Sequence, residues 1–207
     1  MDKAKAWAPD WTETLEEGEA LLWTGRPEYG RALLQIVGHE PVWYASMITG
    51  VVAMWISLAF MPTEGRFDKT DAITIYAAVT AIFALWAAFM ASQRQFVLSK
   101  LHYAITDRRA IVCRRGRDVR LRDGLYFVSC PLDPGGVYPI LPGRPLSSIR
   151  VGSSLSAETV QPFGAGLAHP GWPVLWGRII MPILFENVAD APALRVRLLA
   201  AAAARTL

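Results

Sequence analysis

Two stretches without a single charged residue, 41–61 and 72–91, constrain this chain more than anything else in it. Each has the roughly 20 residues a helix needs to cross about 30 Å of hydrocarbon. A helix in a soluble core shows a polar stripe, and neither run has one, so both are expected to span a bilayer as a helical hairpin, 41–61 and 72–91. Pro62 closes the first run, and Thr63 to Asp71 forms a short polar turn. That 53% of the 207 residues are hydrophobic fits a small domain plus spans better than one soluble domain.

Orientation follows from Lys and Arg near the ends of the spans. The turn offers Arg66 and Lys69, whereas the flanks offer Arg26, Arg31, Arg94, Lys100, Arg108 and Arg109. Both termini are therefore expected on the cytoplasmic side of the cytoplasmic (inner) membrane, with Trp43 and Tyr44 at the near interface and Tyr76 toward the opposite one. Met1 to Asp10 runs into Pro9 and the acidic stretch Glu13 to Glu19, so no cleavable signal peptide is expected.

Small residues recur at helical spacing: Ser46, Gly50 and Ala53 in the first span, Ala77, Ala81, Ala84 and Ala88 in the second. Such faces let helices approach closely, either closing the hairpin internally or docking a foreign helix. On that reading Gly50→Leu splays the hairpin. Residues 1–40 form an N-terminal cytoplasmic segment, in which Gly30 to Gly38 has the pattern of a short interfacial helix.

From residue 92 to 207 the pattern predicts a β domain with a terminal helix. Leu101, Tyr103 and Ile105 alternate with His102, Ala104 and Thr106, then Ile111 and Cys113 with Val112 and Arg114, which reads as a β-hairpin with Asp107 tightening its turn. Arg115-Gly116-Arg117-Asp118 is the next turn, followed by a strand over Leu125 to Cys130. Pro131 to Pro145 holds five prolines and reads as an excursion. Strands are expected again at Ile149 to Gly152 and within Arg178 to Phe185, with irregular chain over Gln161 to Pro173 between them. Asp190 caps a helix at 191–205 with Pro192 in its first turn. The fold class is α+β: a transmembrane hairpin plus an antiparallel β domain closed by a C-terminal helix.

Three motifs carry a family resemblance. They are Glu17-Gly18-Glu19-Ala20-Leu21-Leu22-Trp23-Thr24-Gly25-Arg26-Pro27, Tyr103-Ala104-Ile105-Thr106-Asp107-Arg108-Arg109-Ala110-Ile111-Val112, and Phe185-Glu186-Asn187-Val188-Ala189-Asp190-Ala191. Their order around a helical hairpin resembles that of membrane-anchored bacterial pleckstrin-homology-like proteins. The resemblance implies a partly open barrel of about seven strands, plugged by the C-terminal helix and without catalytic residues. The chain departs from that pattern over Pro131 to Trp172, which is longer and richer in Pro and Gly. The opening is also similar to that of proteins assisting assembly of bacterial photosynthetic complexes, which have more spans.

Charge is unevenly divided. Residues 1–40 carry four Lys/Arg against eight Asp/Glu, and residues 92–207 carry fifteen against seven. Arg108, Arg109, Arg114, Arg115, Arg117, Arg120 and Arg122 crowd two turns and their strands, and are the candidate residues for contact with anionic lipid or a protein partner. The alternative is that they enforce topology and solvate a surface. Expected partners are membrane lipids and a membrane protein or a second copy, with no nucleic acid.

No catalytic set is legible. His39, His102 and His169 are scattered without metal-ligand spacing, so no metal or cofactor is expected. Gly164-Ala165-Gly166-Leu167-Ala168-His169 lacks the third glycine of a dinucleotide fingerprint and reads as a loop. Cys113 and Cys130 read as reduced core thiols. The leading functional reading is a non-enzymatic membrane-anchored binding or scaffold module. Anionic-lipid sensing by the basic turns is the alternative, and an enzyme with a site in the 164–172 loop, around His169 and Trp172, is the third.

Overall fold

The computed structural model describes residues 9–38, 40–61, 68–117, 123–152 and 182–205, with the backbone alone at 13, 115–117 and 123–127. In this structure the chain is α+β, with two long apolar helices and antiparallel sheets. Helix α1, Glu40–Ser57, continues through a 3-10 turn, Leu58–Phe60, and α2 is Lys69–Lys100. Asp68 caps α2 by accepting the backbone N–H groups of Thr70 and Asp71. Both helices are long and apolar enough to cross a membrane, and in each the apolar window is 0% buried by the rest of the chain. Core helices of water-soluble domains bury their apolar face. Here Ile48, Val52 and Ile56 of α1, and Ile82, Leu85 and Phe89 of α2, are all exposed.

The small-residue faces do not join the two helices. Ser46, Gly50, Ala53, Ala77, Ala81, Ala84 and Ala88 are all exposed, and a methyl added at Gly50 would meet nothing within 4 Å. Contact lies nearer the turn instead. The Trp55 indole donates to Thr80 Oγ1 at 3.0 Å, Ser57 Oγ and the Tyr76 hydroxyl are 3.0 Å apart, and the Trp55 and Tyr76 rings meet edge to face. In an apolar solvent each such bond contributes about 0.6 kcal/mol, and unpartnered it would leave a polar group in hydrocarbon. Gly50→Leu is therefore expected to be neutral. A cysteine pair at 57 and 76 should crosslink in high yield, and Gly50→Leu should leave that yield unchanged; a clear fall would restore the small-residue face as the contact.

Strand β1 is Leu21–Gly25, β2 Leu101–Thr106, β3 Arg109–Arg117 and β4 Asp123–Pro131, forming one antiparallel sheet in the order β1-β2-β3-β4. A second sheet, β5-β6-β7, comprises Ile140–Leu141, Ser148–Gly152 and Ile183–Phe185. The sheets stay separate, and among the described residues they close no barrel. Helix α3, Ala191–Ala204, lies against β2 of one sheet and β5 and β6 of the other. Asp190 caps it through Ala193 N–H at 3.0 Å, with Pro192 in the first turn.

Two features depart from the sequence reading. The domain does not begin after the hairpin: β1 precedes it and pairs with β2, Gly25 opposite Tyr103 and Trp23 opposite Ile105. The helical hairpin is thus an insertion between neighbouring strands. Nor does 30–38 form a helix; it is turns and extended chain folded against α2. Gly30 shows why: its φ is +87°, and a Cβ there would sit 2.4 Å from Leu98 Cδ1.

The core runs from the last turns of α2 into both sheets. Val97, Leu98, Leu101, Tyr103, Ile105, Val112, Ile149, Phe185 and Leu198 form one buried cluster. Helix α2 is longer than the uncharged run because Val97 and Leu98 are already domain core. Chain leaves the helix at Lys100 and is strand from Leu101.

Candidate functional site

The three motifs that carry the family resemblance meet in space. Trp23 lies against Phe185 with ring centroids 5.9 Å apart, and Phe185 stacks on Tyr103 at 4.8 Å. The Tyr103 hydroxyl accepts the backbone N–H of Glu186 at 3.0 Å. Each motif contributes one ring to this core, and such pairs add roughly 0.5–1.5 kcal/mol beyond the area they bury.

At the other end of β2 the first motif is pinned to the second by a buried ion pair. The Arg109 guanidinium donates to both Glu19 carboxylate oxygens, through Nε at 3.0 Å and Nη2 at 2.9 Å. Thr106 Oγ1 and the Glu16 backbone N–H also donate to that carboxylate, at 2.7 Å and 2.8 Å. Burial pushes the Glu19 carboxyl up, but the hydrogen bonds from Arg109, Thr106 and Glu16 outweigh it and hold the group down at about 2. Asp107 does not tighten its own turn: its carboxylate accepts Ala20 N–H at 3.0 Å, and its N–H donates to Ala20 O at 3.0 Å. Thr106 tightens the turn, its hydroxyl oxygen accepting the N–H groups of Arg108 and Arg109.

This geometry redistributes the seven arginines. Leu101 pairs with Arg114 and Arg117 with Asp123, so β3 ends and β4 begins at the end of the sheet where α2 enters. Arg108 and Arg109 sit on the β2–β3 turn at the opposite end. Consecutive hairpins turn at opposite ends, and the two basic turns cannot form one patch. Arg109 is engaged with Glu19 and Glu16, and Arg114 is 3% exposed. Neither presents a free guanidinium to lipid or partner, Arg109 being paired and Arg114 buried. Arg108 is 44% exposed beside Glu16. Arg115 and Arg117 lie on the β3 backbone beyond Arg114, and Arg120 and Arg122 lie outside the described residues.

A second structural arginine joins the hairpin to the domain. Arg94 is 1% exposed, pairs with Glu40 at 3.0 Å, and donates to the carbonyls of Leu33 and Gln35. One side chain of α2 thereby holds the start of α1 and the segment leading to it. In the sequence Arg94 looks like a topology determinant, and its only local hint of this role is that it borders the span opposite Glu40.

Burial pushes the Glu186 carboxyl up to about 8 from its usual 4.5, next to Tyr103, whose hydroxyl burial also raises. Because the folded value lies above the unfolded one, the favourable contribution is complete below about pH 4.5 and is lost as pH rises through about 8. Glu186→Gln carries no charge to bury. It should melt like the native protein in detergent at pH 4.5 and several degrees higher at pH 8.5; equal melting temperatures at both would refute this.

Cys113 and Cys130 are buried and free, with burial raising their thiols to about 12 and about 11. Cys130 Sγ would lie 2.5 Å from a Cβ placed at Gly152, so the two sheets approach each other at a glycine. His102 is half-buried on β2, while His39, His169 and the whole 164–172 loop with Trp172 lie outside the described residues. No family model, curated protein or solved structure matches the chain.

Proposed function

We propose that the chain is a membrane-anchored, non-enzymatic binding module that holds a membrane-protein partner, or a second copy of itself, during assembly of a membrane complex. Its hairpin crosses the cytoplasmic membrane with both termini inside, and its domain is of the pleckstrin-homology-like kind. The single observation behind this reading is the way anchor and domain share chain. Strand β1 precedes the hairpin and pairs with β2 behind it, α2 runs without a break into β2, and Arg94 locks the segment leading into α1. A domain joined by two rigid connections keeps one orientation to the bilayer, which suits presenting a fixed surface to a laterally diffusing partner. Four strands, then three, then a terminal helix support the family resemblance.

Affinity purification of the full chain in mild detergent is expected to return either a co-purifying membrane protein or a homo-oligomer, identified by mass spectrometry. Isolated monomers in every growth condition would defeat the proposal. For topology, a reporter fused after Leu207 should be active only in its cytoplasm-reporting form.

Anionic-lipid sensing is supported by one specific observation, that the paired ends of β3 and β4, Arg117 and Asp123, lie at the α2 end of the sheet. From Arg94 to Lys100 the helix rises roughly 9 Å, so on the anchored reading that end of the sheet faces the headgroups. The test requires the full chain, because a fragment starting at Gln93 would lack β1 and leave Arg109 without Glu19. In nanodiscs, Arg117, Arg120 and Arg122 all changed to Gln should abolish the extra amide protection of that hairpin seen on adding anionic lipid. If native protection ignores lipid charge, the reading fails.

A further inference from the structure

A cavity of about 590 Å³ opens where the end of β1 faces the start of α3, with Trp23, Arg26, Glu28, Arg31, Asp190 and Arg197 in its wall. Three arginines thus line one space. Among the described residues none of them has a hydrogen-bond or ion-pair partner, and Arg31 Nε is screened from solvent without one. Arg31 is half-buried, and Arg26 and Arg197 are exposed; the guanidiniums of Arg94 and Arg109, by contrast, are each held by a carboxylate and backbone carbonyls. Two carboxylates share the wall, but Asp190 is engaged in capping α3 through Ala193 N–H. Glu28 anchors the wall through its backbone, its N–H donating to Asn187 O at 2.9 Å. Three arginines against two carboxylates leave positive charge in excess in the lining.

We infer that this cavity binds the phosphate group of an anionic ligand, held by Arg26, Arg31 and Arg197. A guanidinium fork matches phosphate oxygens in pairs, and several forks around one space favour a group with several acceptor oxygens. The half-buried Trp23 ring supplies an apolar wall, and the volume exceeds what a bare phosphate fills, which leaves room for the carbon skeleton attached to it. Placement narrows the source. Gly25 pairs with Tyr103, three residues past the end of α2, so the cavity lies at the hairpin end of the sheet. An anionic lipid headgroup and a free phosphate compound share the required chemistry; the lipid source rests on the anchored reading above, and the free source does not.

The test is calorimetric titration of the full chain in neutral detergent at low ionic strength, using dihexanoyl phosphatidylglycerol and inorganic phosphate as probes. Saturable binding is expected to weaken at least about tenfold in Arg31→Gln/Arg197→Gln, the loss of one charge-assisted contact or more. It should be unchanged in Arg150→Gln, an exposed arginine outside the cavity. Tighter binding of the lipid probe assigns the headgroup, and equal binding assigns a free phosphate. Arg197 is exposed on α3, so Arg197→Gln alone serves if the double variant does not fold. Binding of either probe that ignores these substitutions, or no saturable binding of both, overturns the inference. A partner that still co-purifies with the double variant separates loss of this site from failure of the anchored-scaffold reading.

Discussion

Arg109→Met should destabilise the domain by about 3–5 kcal/mol, measured as the loss of unfolding free energy in detergent, because it leaves a buried carboxylate without its cation. The Glu19 side chain is 0% exposed and Arg109 14%, and four donors, from the Arg109 and Thr106 side chains and the Glu16 backbone, converge on that carboxylate. The pH dependence gives a second readout. The folded carboxyl is held at about 2 and the unfolded one at its usual 4.5, so the contribution is complete above about pH 4.5 and lost as pH falls through about 2. Over that interval native stability should drop by on the order of 3 kcal/mol from this group. Glu19→Gln should flatten the acid limb, and the double variant Arg109→Met/Glu19→Met should recover much of the loss, since replacing both partners removes the unpaired charge. If Arg109→Met melted within a degree of the native protein, the pair would be idle and the two motifs would be joined by something else.

That pair also shows what the sequence could and could not reveal. Glu19 and Arg109 stand 90 residues apart with the whole hairpin between them. Local periodicity sees Leu21-Leu22-Trp23 as a short apolar motif, because a strand's partner is set by long-range pairing. The same limit explains why the domain boundary was misplaced at residue 92: an insertion between paired strands leaves no mark in either strand's own pattern. By contrast, the two long apolar helices are legible because their signal is local and long, and α3 because Asp190, Pro192 and the Leu194–Leu198 spacing act within one helix. The helix boundaries differ where charge stops being the deciding term. Helix α2 runs on to Lys100 since Val97 and Leu98 find protein partners once past the uncharged run. The arginine cluster fails differently. Counting charges along the chain merged two turns that hairpin alternation alone would have sent to opposite ends of the sheet. The unpartnered Arg26, Arg31 and Arg197 come from three segments that only the fold assembles, so no spacing announces them.

Arg94→Ala is expected to uncouple the domain from its anchor without unfolding it. The side chain is 1% exposed and reaches the Glu40 carboxylate and the carbonyls of Leu33 and Gln35, so its removal strands a carboxylate and carbonyls that no other described side chain serves. Breaking one partner of such a buried, hydrogen-bonded pair costs about 3–5 kcal/mol. The loss falls on a junction rather than on the sheets, because Tyr103, Phe185 and Ile149 belong to a core cluster that includes none of Arg94, Glu40, Leu33 and Gln35. Amide exchange should therefore accelerate by two orders of magnitude or more across 31–38 and the first turn of α1, while β2, β3 and α3 keep their protection. Arg94→Lys retains the charge but not the fork, and it should recover the Glu40 contact while leaving the carbonyls open. If rigid presentation is what the protein supplies, Arg94→Ala should stay folded and membrane-bound yet lose its co-purifying partner. Retention of the partner at native stoichiometry, with exchange at 31–38 clearly accelerated, would mean that the domain acts as a tethered module and that its orientation is irrelevant to binding.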